Sequence, residues 1–262
     1  MFQRIIVLVI VQTFAFQQMF ANVGAPILKC ISVGPSDDIT ITWVAPVDPL
    51  GEFNSYSIYH SVNPTGSYSL CSTVNDINQV SYTYSGANLG IGTEYFYVIT
   101  NFDDGTGEQP SISSDTLQPI LITAEGLSAT PVILESQARL TWNKIHNPRI
   151  NTHSDWYLIY RMFAGGTWTL IDSVEFGTEN YLDSTKVCYD SAYYKIEVFD
   201  ASGCISVSNI AGDEVGDQTP PLIPEIDSVS VNPITGEVNV GWERSVSGDV
   251  DGYIVILELA TG

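Results

Sequence analysis

One short pattern of apolar and polar positions occurs three times along the chain. It reads Ile39-Thr-Ile41-Thr-Trp43, then Ala138-Arg-Leu140-Thr-Trp142, then Val238-Asn-Val240-Gly-Trp242. Apolar residues fill every second position, and the last of them is Trp. A period of two marks a half-buried strand, with the apolar set on a core and Thr, Arg or Asn toward water. The three Trp residues lie 99 and 100 residues apart. That spacing predicts tandem units of about 100 residues, each large enough for its own sandwich.

The first unit is read as 24–119. Ile27–Val33 is an opening strand, 38–44 the Trp strand, 56–60 a third strand and 67–74 a fourth. Between them lie a loop with Pro46 and Pro49 and an Asn63-Pro-Thr-Gly66 turn, both of which interrupt pairing. Then comes Leu89-Gly-Ile-Gly92-Thr-Glu-Tyr95-Phe-Tyr97-Val-Ile99, followed by a hairpin loop rich in Asp and Gly at 103–107. A Trp strand, a Tyr-x-Ile strand and Leu-x-x-Gly-Thr-x-Tyr-x-Tyr-x-Ile together resemble the fibronectin type III domain. The resemblance implies an all-β fold of tandem immunoglobulin-like sandwiches. It also implies that Tyr95 is a tyrosine corner, its ring inward and its hydroxyl bonded to the connecting loop, with Leu89 plugging the core beneath it.

The second unit is read as 120–217. Counting 52 residues from Trp43 gives Tyr95, and 52 from Trp142 gives Tyr194, which opens another period-two strand. The position equivalent to Leu89 is then Cys188, read as a small buried hydrophobe. Cys188 and Cys204 would lie over about 30 Å apart along a strand at 3.3 Å per residue, beyond disulfide reach. Cys30 and Cys71 fall at opposite edges of the family layout. The reading favours free, mostly buried thiols at all four cysteines, although an exported chain with an even cysteine count also invites bridges.

A Pro-rich linker opens the third unit, 218–262, in which 226–231, 237–242 and 249–257 are read as strands. Three strands leave a core half open, and the reading expects further domains of the same polypeptide after residue 262. The run from Thr219 to Tyr253 resembles repeats of long secreted surface proteins of Bacteroidetes-type bacteria, often gliding-motility-associated and ending in a C-terminal sorting domain. Triplets beginning at Asp115, Asp172, Asp183, Asp190 and Asp227 resemble that group's O-glycosylation motif.

Residues 1–21 read as a secretory signal peptide, with Arg4 as the charged region, an apolar run to Phe16 and a small residue, Ala21, before Asn22. Too short to cross a bilayer comfortably, that run is followed by no longer one. The expected location is therefore secreted or cell-surface, with no membrane span in the mature chain. With 9 Lys+Arg against 30 Asp+Glu, a net charge of −21, the surface repels nucleic acid and anionic lipid.

Candidate chemistry is sparse. His60 ends a strand, while His146 and His153 lie in the 143–154 loop and read as solvated. Carboxylate pairs at 103/104 and 249/251 read as turn residues. Asp213, Glu214 and Asp217 could offer oxygens to calcium at a unit boundary, but their spacing matches no calcium loop. No catalytic group, cofactor or metal ligand is assigned, and Trp43, Trp142, Trp242, Leu89, Tyr95, Cys188 and Tyr194 are read as core. The functional expectation is a non-catalytic spacer or adhesion segment whose partner is an extracellular protein or glycan. Accessory modules of a secreted hydrolase with its catalytic domain beyond residue 262 are the alternative.

Overall fold

Seventeen strands form among the described residues of the computed structural model, which are 23–89, 92–111, 113–127, 136–146, 149–185, 187, 189–216, 222–247, 250 and 252–256. The expected leader and Cys188 lie outside these residues. In the first unit, β1 (Ile27–Val33), β2 (Ile39–Val44) and β5 (Ser81–Tyr84) make an antiparallel sheet in the order β1-β2-β5. A second sheet runs β4-β3-β6-β7, built from β3 (Phe53–Ser61), β4 (Ser69–Val74), β6 (Tyr95–Asp103) and β7 (Glu108–Pro110). The second unit repeats the plan. One sheet runs β12-β9-β8, from β8 (Ile122–Leu127), β9 (Ser136–Trp142) and β12 (Asn180–Thr185). Facing it are β10 (Trp156–Phe163), β11 (Thr169–Glu175) and β13 (Tyr189–Phe199), with β14 (Ile205–Val207) and β15 (Ala211–Gly216) sharing the outer edge of β13. These are all-β units, each built from two antiparallel sheets and arranged in tandem.

The alternating Trp strand explains the layering. Ile39, Ile41 and Trp43 are all buried, and the Trp43 ring meets Tyr56 of the opposite sheet edge-on at 5.3 Å. In the second unit Ala138, Leu140 and Trp142 are buried, and Trp142 meets Tyr157 at 5.9 Å. A ring of this kind removes roughly 150–250 Å² from water, about 4–6 kcal/mol before ordering entropy is subtracted. In the third unit Trp242 meets Tyr253 at 5.6 Å, and Trp242 is half-buried. Here β16 (Ile226–Val231) pairs β17 (Val238–Trp242). Of the strand expected over 249–257, the described residues 250 and 252–256 have no ladder partner, and the others lie outside the described residues.

Three core assignments need correction or placement. Tyr95 is not the inward residue. Along β6 the buried positions are Phe96, Val98, Thr100 and Phe102, preceded by Glu94. The Glu94 carboxylate shares this inward phase and is hydrogen-bonded there to His60. Register confirms the equivalence: His60 faces Phe96, as Arg161 faces Tyr194. Tyr194 is fully buried, but its hydroxyl donates to the Asp183 side chain at 2.9 Å and not to a connecting-loop backbone. The bond to a loop carbonyl is made by Tyr56, whose hydroxyl donates to Ile77 at 3.0 Å. Leu89 is half-buried and packs against the first core.

Candidate functional site at the sandwich junction

Polar groups that would be solvated on an isolated sandwich are buried where the first two units meet. A β-bulge between Leu28 and Cys30 shifts the register of β1 against β2. Leu28 and Ile31 serve the sandwich's own core, while Lys29 reaches into the second unit. Its ammonium donates to Thr152 Oγ1 at 3.0 Å, and that hydroxyl donates to Asp200 Oδ2 at 2.5 Å. Asp200 Oδ1 accepts the Ser202 amide at 2.8 Å, which fixes the turn after β13. His153 donates from Nε2 to the Lys29 carbonyl at 2.5 Å, and the same nitrogen lies 3.7 Å from Asp200 Oδ2. The His153 and Asp200 side chains are both fully covered. His153 is therefore not the solvated loop residue its position suggests.

Burial pushes the His153 imidazole below its ordinary value, and the Lys29 carbonyl and Asp200 restore only part of the loss. For Asp200, burial acts upward, but hydrogen bonds from Ser202 and Thr152 outweigh it and hold the carboxyl below the usual range. The neutral imidazole with its proton on Nε2 is thus the junction form.

Beside this cluster two strand edges meet through hydroxyls. The Ile31 amide donates to Ser206 Oγ at 3.1 Å. Ser32 Oγ donates to the Ile205 carbonyl at 2.9 Å and accepts the Val207 amide at 3.1 Å. Side chains thereby satisfy an exposed edge of β1 that would otherwise be free to pair with another chain. Cys30 and Cys204 close the contact as a disulfide, with Cα atoms 6.1 Å apart and a sequence separation of 174. This overturns the expectation of free thiols at these two positions. The strand-length argument holds for partners within one sandwich, but the true partner lies on the neighbouring one. Cys71 is free, half-buried, and burial pushes its thiol up to about 11.

The connecting segment is tied down as well. Leu121 donates its amide to Asn143 Oδ1 at 2.6 Å, and Asn143 Nδ2 donates to the Pro119 carbonyl at 3.0 Å. Gln118 bonds the Lys144 carbonyl through its side chain and Ile145 through its amide. Leu117, Ile120 and Ile122 are buried along this path. A shallow open cleft of about 600 Å³ lies on this flank, lined by Thr93, Gln118, Trp142 and Lys144 among others. Lys144 is paired there with Glu179 at 3.3 Å, which leaves no unpaired acid or base aimed into the cleft by that pair.

Elsewhere, the groups singled out in sequence are spent on structure. His60 is hydrogen-bonded to Glu94 and stacked on Tyr84 at 4.7 Å. Asp103 and Asp104 accept amides within their own hairpin turn. Asp213 accepts the Gly126 amide at 2.9 Å. No group of three or more metal-ligating side chains occurs among the described residues.

No family model matches the chain, and no curated protein matches it. Among solved structures, the crystal structure of chicken CNTN1 FN1-FN3 domains aligns with 74% of this chain and 69% of its own, at 14% identity and a TM-score of 0.29. That overlay adds nothing to the architecture already read from strand order.

Proposed function

We propose that the first two sandwiches work as one rigid, non-catalytic spacer in an exported modular protein, presenting surfaces to an extracellular protein or glycan. The observation that carries this reading is the junction. Independent modules on a string need no buried Lys29–Thr152–Asp200 chain, no hydroxyl bonds between strand edges and no bridge between units. Inter-unit contacts that are small and wet leave neighbours free to move, and here the contact is buried, polar and covalent. A structural disulfide persists in oxidising compartments, which supports export together with the signal-like residues 1–21. The resemblance to secreted bacterial surface repeats, gliding-motility-associated proteins included, supports the same assignment.

Amide hydrogen exchange on the full chain tests the spacer. The Ile31 and Val207 amides bond only across the junction in the contacts described above. In a rigid pair they exchange as slowly as core amides of β6 and β13. Exchange at the rate of exposed loops would mean that the sandwiches swing apart, and the spacer reading would fail.

A further inference from the structure

We propose that the Cys30–Cys204 bridge is a covalent bypass for tension: a pull on the two chain ends crosses between the two sulfurs and leaves the segment between them unloaded. The position of the bridge requires it. Cys30 lies in the first strand of the first sandwich, and Cys204 follows the β13–β14 hairpin turn of the second. Strands β2 to β13 all lie inside the covalent ring. Tension entering at Val23 passes along seven residues to Cys30, steps 6.1 Å to the Cys204 Cα, and leaves through β14 and β15. The ladders among β2 to β13 and the 118–121 connection carry none of it, and only the pairs that β14 and β15 make with β13, and Ile27 and Leu28 with β2, lie on the loaded path. Without the bridge the same pull would act across β1 and β2 and across the connecting segment, which noncovalent bonds alone resist.

The surrounding contacts keep this path short. Ser32 and Ser206 bond across the two strands beside the sulfurs, and Lys29 is held through Thr152 to Asp200. These hold the two cysteines together when the bridge is open, so the lock is reversible. A dithiol reductant opens it in two steps. One reductant thiolate attacks a cysteine sulfur, the S–S bond breaks and a mixed disulfide forms. The second reductant thiol then displaces that cysteine, so the reductant becomes a cyclic disulfide and Cys30 and Cys204 both leave as thiols. Reduction converts an inextensible link into an extensible one. This deepens the spacer reading but is separable from it, because the Ile31 and Val207 amides could exchange fast while the bridge still limits length.

The experiment is single-molecule stretching of the full chain held by its two ends, with and without dithiothreitol. The oxidised chain should release only the contour outside the ring. Reduction should add roughly 570–620 Å, the extended length of the enclosed segment at 3.3–3.6 Å per residue. Cys30→Ser and Cys204→Ser should each show the longer contour without reductant, and Cys71→Ser should not. Reduced wild-type chain that is relaxed and pulled again serves if either variant fails to fold. Release of the full added length by the oxidised chain would overturn the proposal. A non-reducing peptide map that joins Cys30 to any cysteine other than Cys204 would overturn it too.

Discussion

Thr152→Val separates the junction from the sandwiches it joins. Valine keeps the shape of threonine, so little packing changes, but the hydroxyl is lost. That hydroxyl accepts from the Lys29 ammonium and donates to the Asp200 carboxylate. Hydrogen bonds to charged groups contribute about 1.5–3 kcal/mol each. Asp200 retains the Ser202 amide, and Lys29 is about nine-tenths buried and loses the acceptor that holds it there. Taking the lower figure for both bonds gives about 3 kcal/mol of junction stability. At about 1.4 kcal/mol per decade, that is a roughly 100-fold larger open fraction. Exchange of the Ile31 and Val207 amides should accelerate by about that factor, while amides at the centre of β6 and β13 keep their rates. Thr152→Ser restores the hydroxyl and should return both amides close to the original rate. Equal acceleration in the valine and serine variants would show that the methyl group, not the hydroxyl, holds the junction, and the reasoning would be wrong.

Acid should loosen the same place in two stages. His153 is held below its ordinary 6.5 by burial, so the unfolded chain takes up its proton first; its contribution is complete above about pH 6.5 and is lost as pH falls through the folded value. Asp200 is held below the usual carboxylate range, so its contribution is complete above about pH 4 and is lost lower still. A urea midpoint that is flat from pH 7 to pH 3 would contradict both. Tyr194→Phe removes the 2.9 Å bond to Asp183, which also accepts from Arg161 at 2.7 Å, and should cost the second sandwich about 1.5–2 kcal/mol by urea titration. A change below about 0.5 kcal/mol would mean that the bond carries nothing. Gly126→Ala would set a Cβ 1.9 Å from the Glu214 carbonyl oxygen, forcing β8 from β15 at about 1–3 kcal/mol; an unchanged urea midpoint would refute the close approach.

The Trp strands were legible because their alternation is complete and each ends in the residue that meets the opposite sheet. Other strands were not, because polarity there runs against the rule. In β12 the inward positions are Asp183 and Thr185 while Leu182 is exposed, so the pattern reads as a loop. β5, Ser81–Tyr84, is four residues long and half-buried at best. The corner failed by one residue: the Leu-x-x-Gly-Thr-x-Tyr resemblance selected Tyr95, but the inward phase of β6 falls on Phe96, Val98, Thr100 and Phe102. The junction could not be read at all. Cys30 and Cys204 carry no local signal of each other, and His153 looks solvated until the first sandwich covers it. Such contacts depend on how two units dock, which neither alternation nor spacing within one unit encodes.

The long separation between the bridged cysteines also orders the molecule's assembly in time. The chain is made from its N-terminus, so Cys30 exists as a thiol before Cys71, Cys188 and finally Cys204 have been added. The correct partner arrives last, after two wrong ones. Closure of the first sandwich then matters, because burial raises the Cys71 thiol to about 11. That change starves the early wrong pairing with Cys71 of thiolate. The first unit must fold early, and with its cysteines reduced, for the second to find its partner waiting.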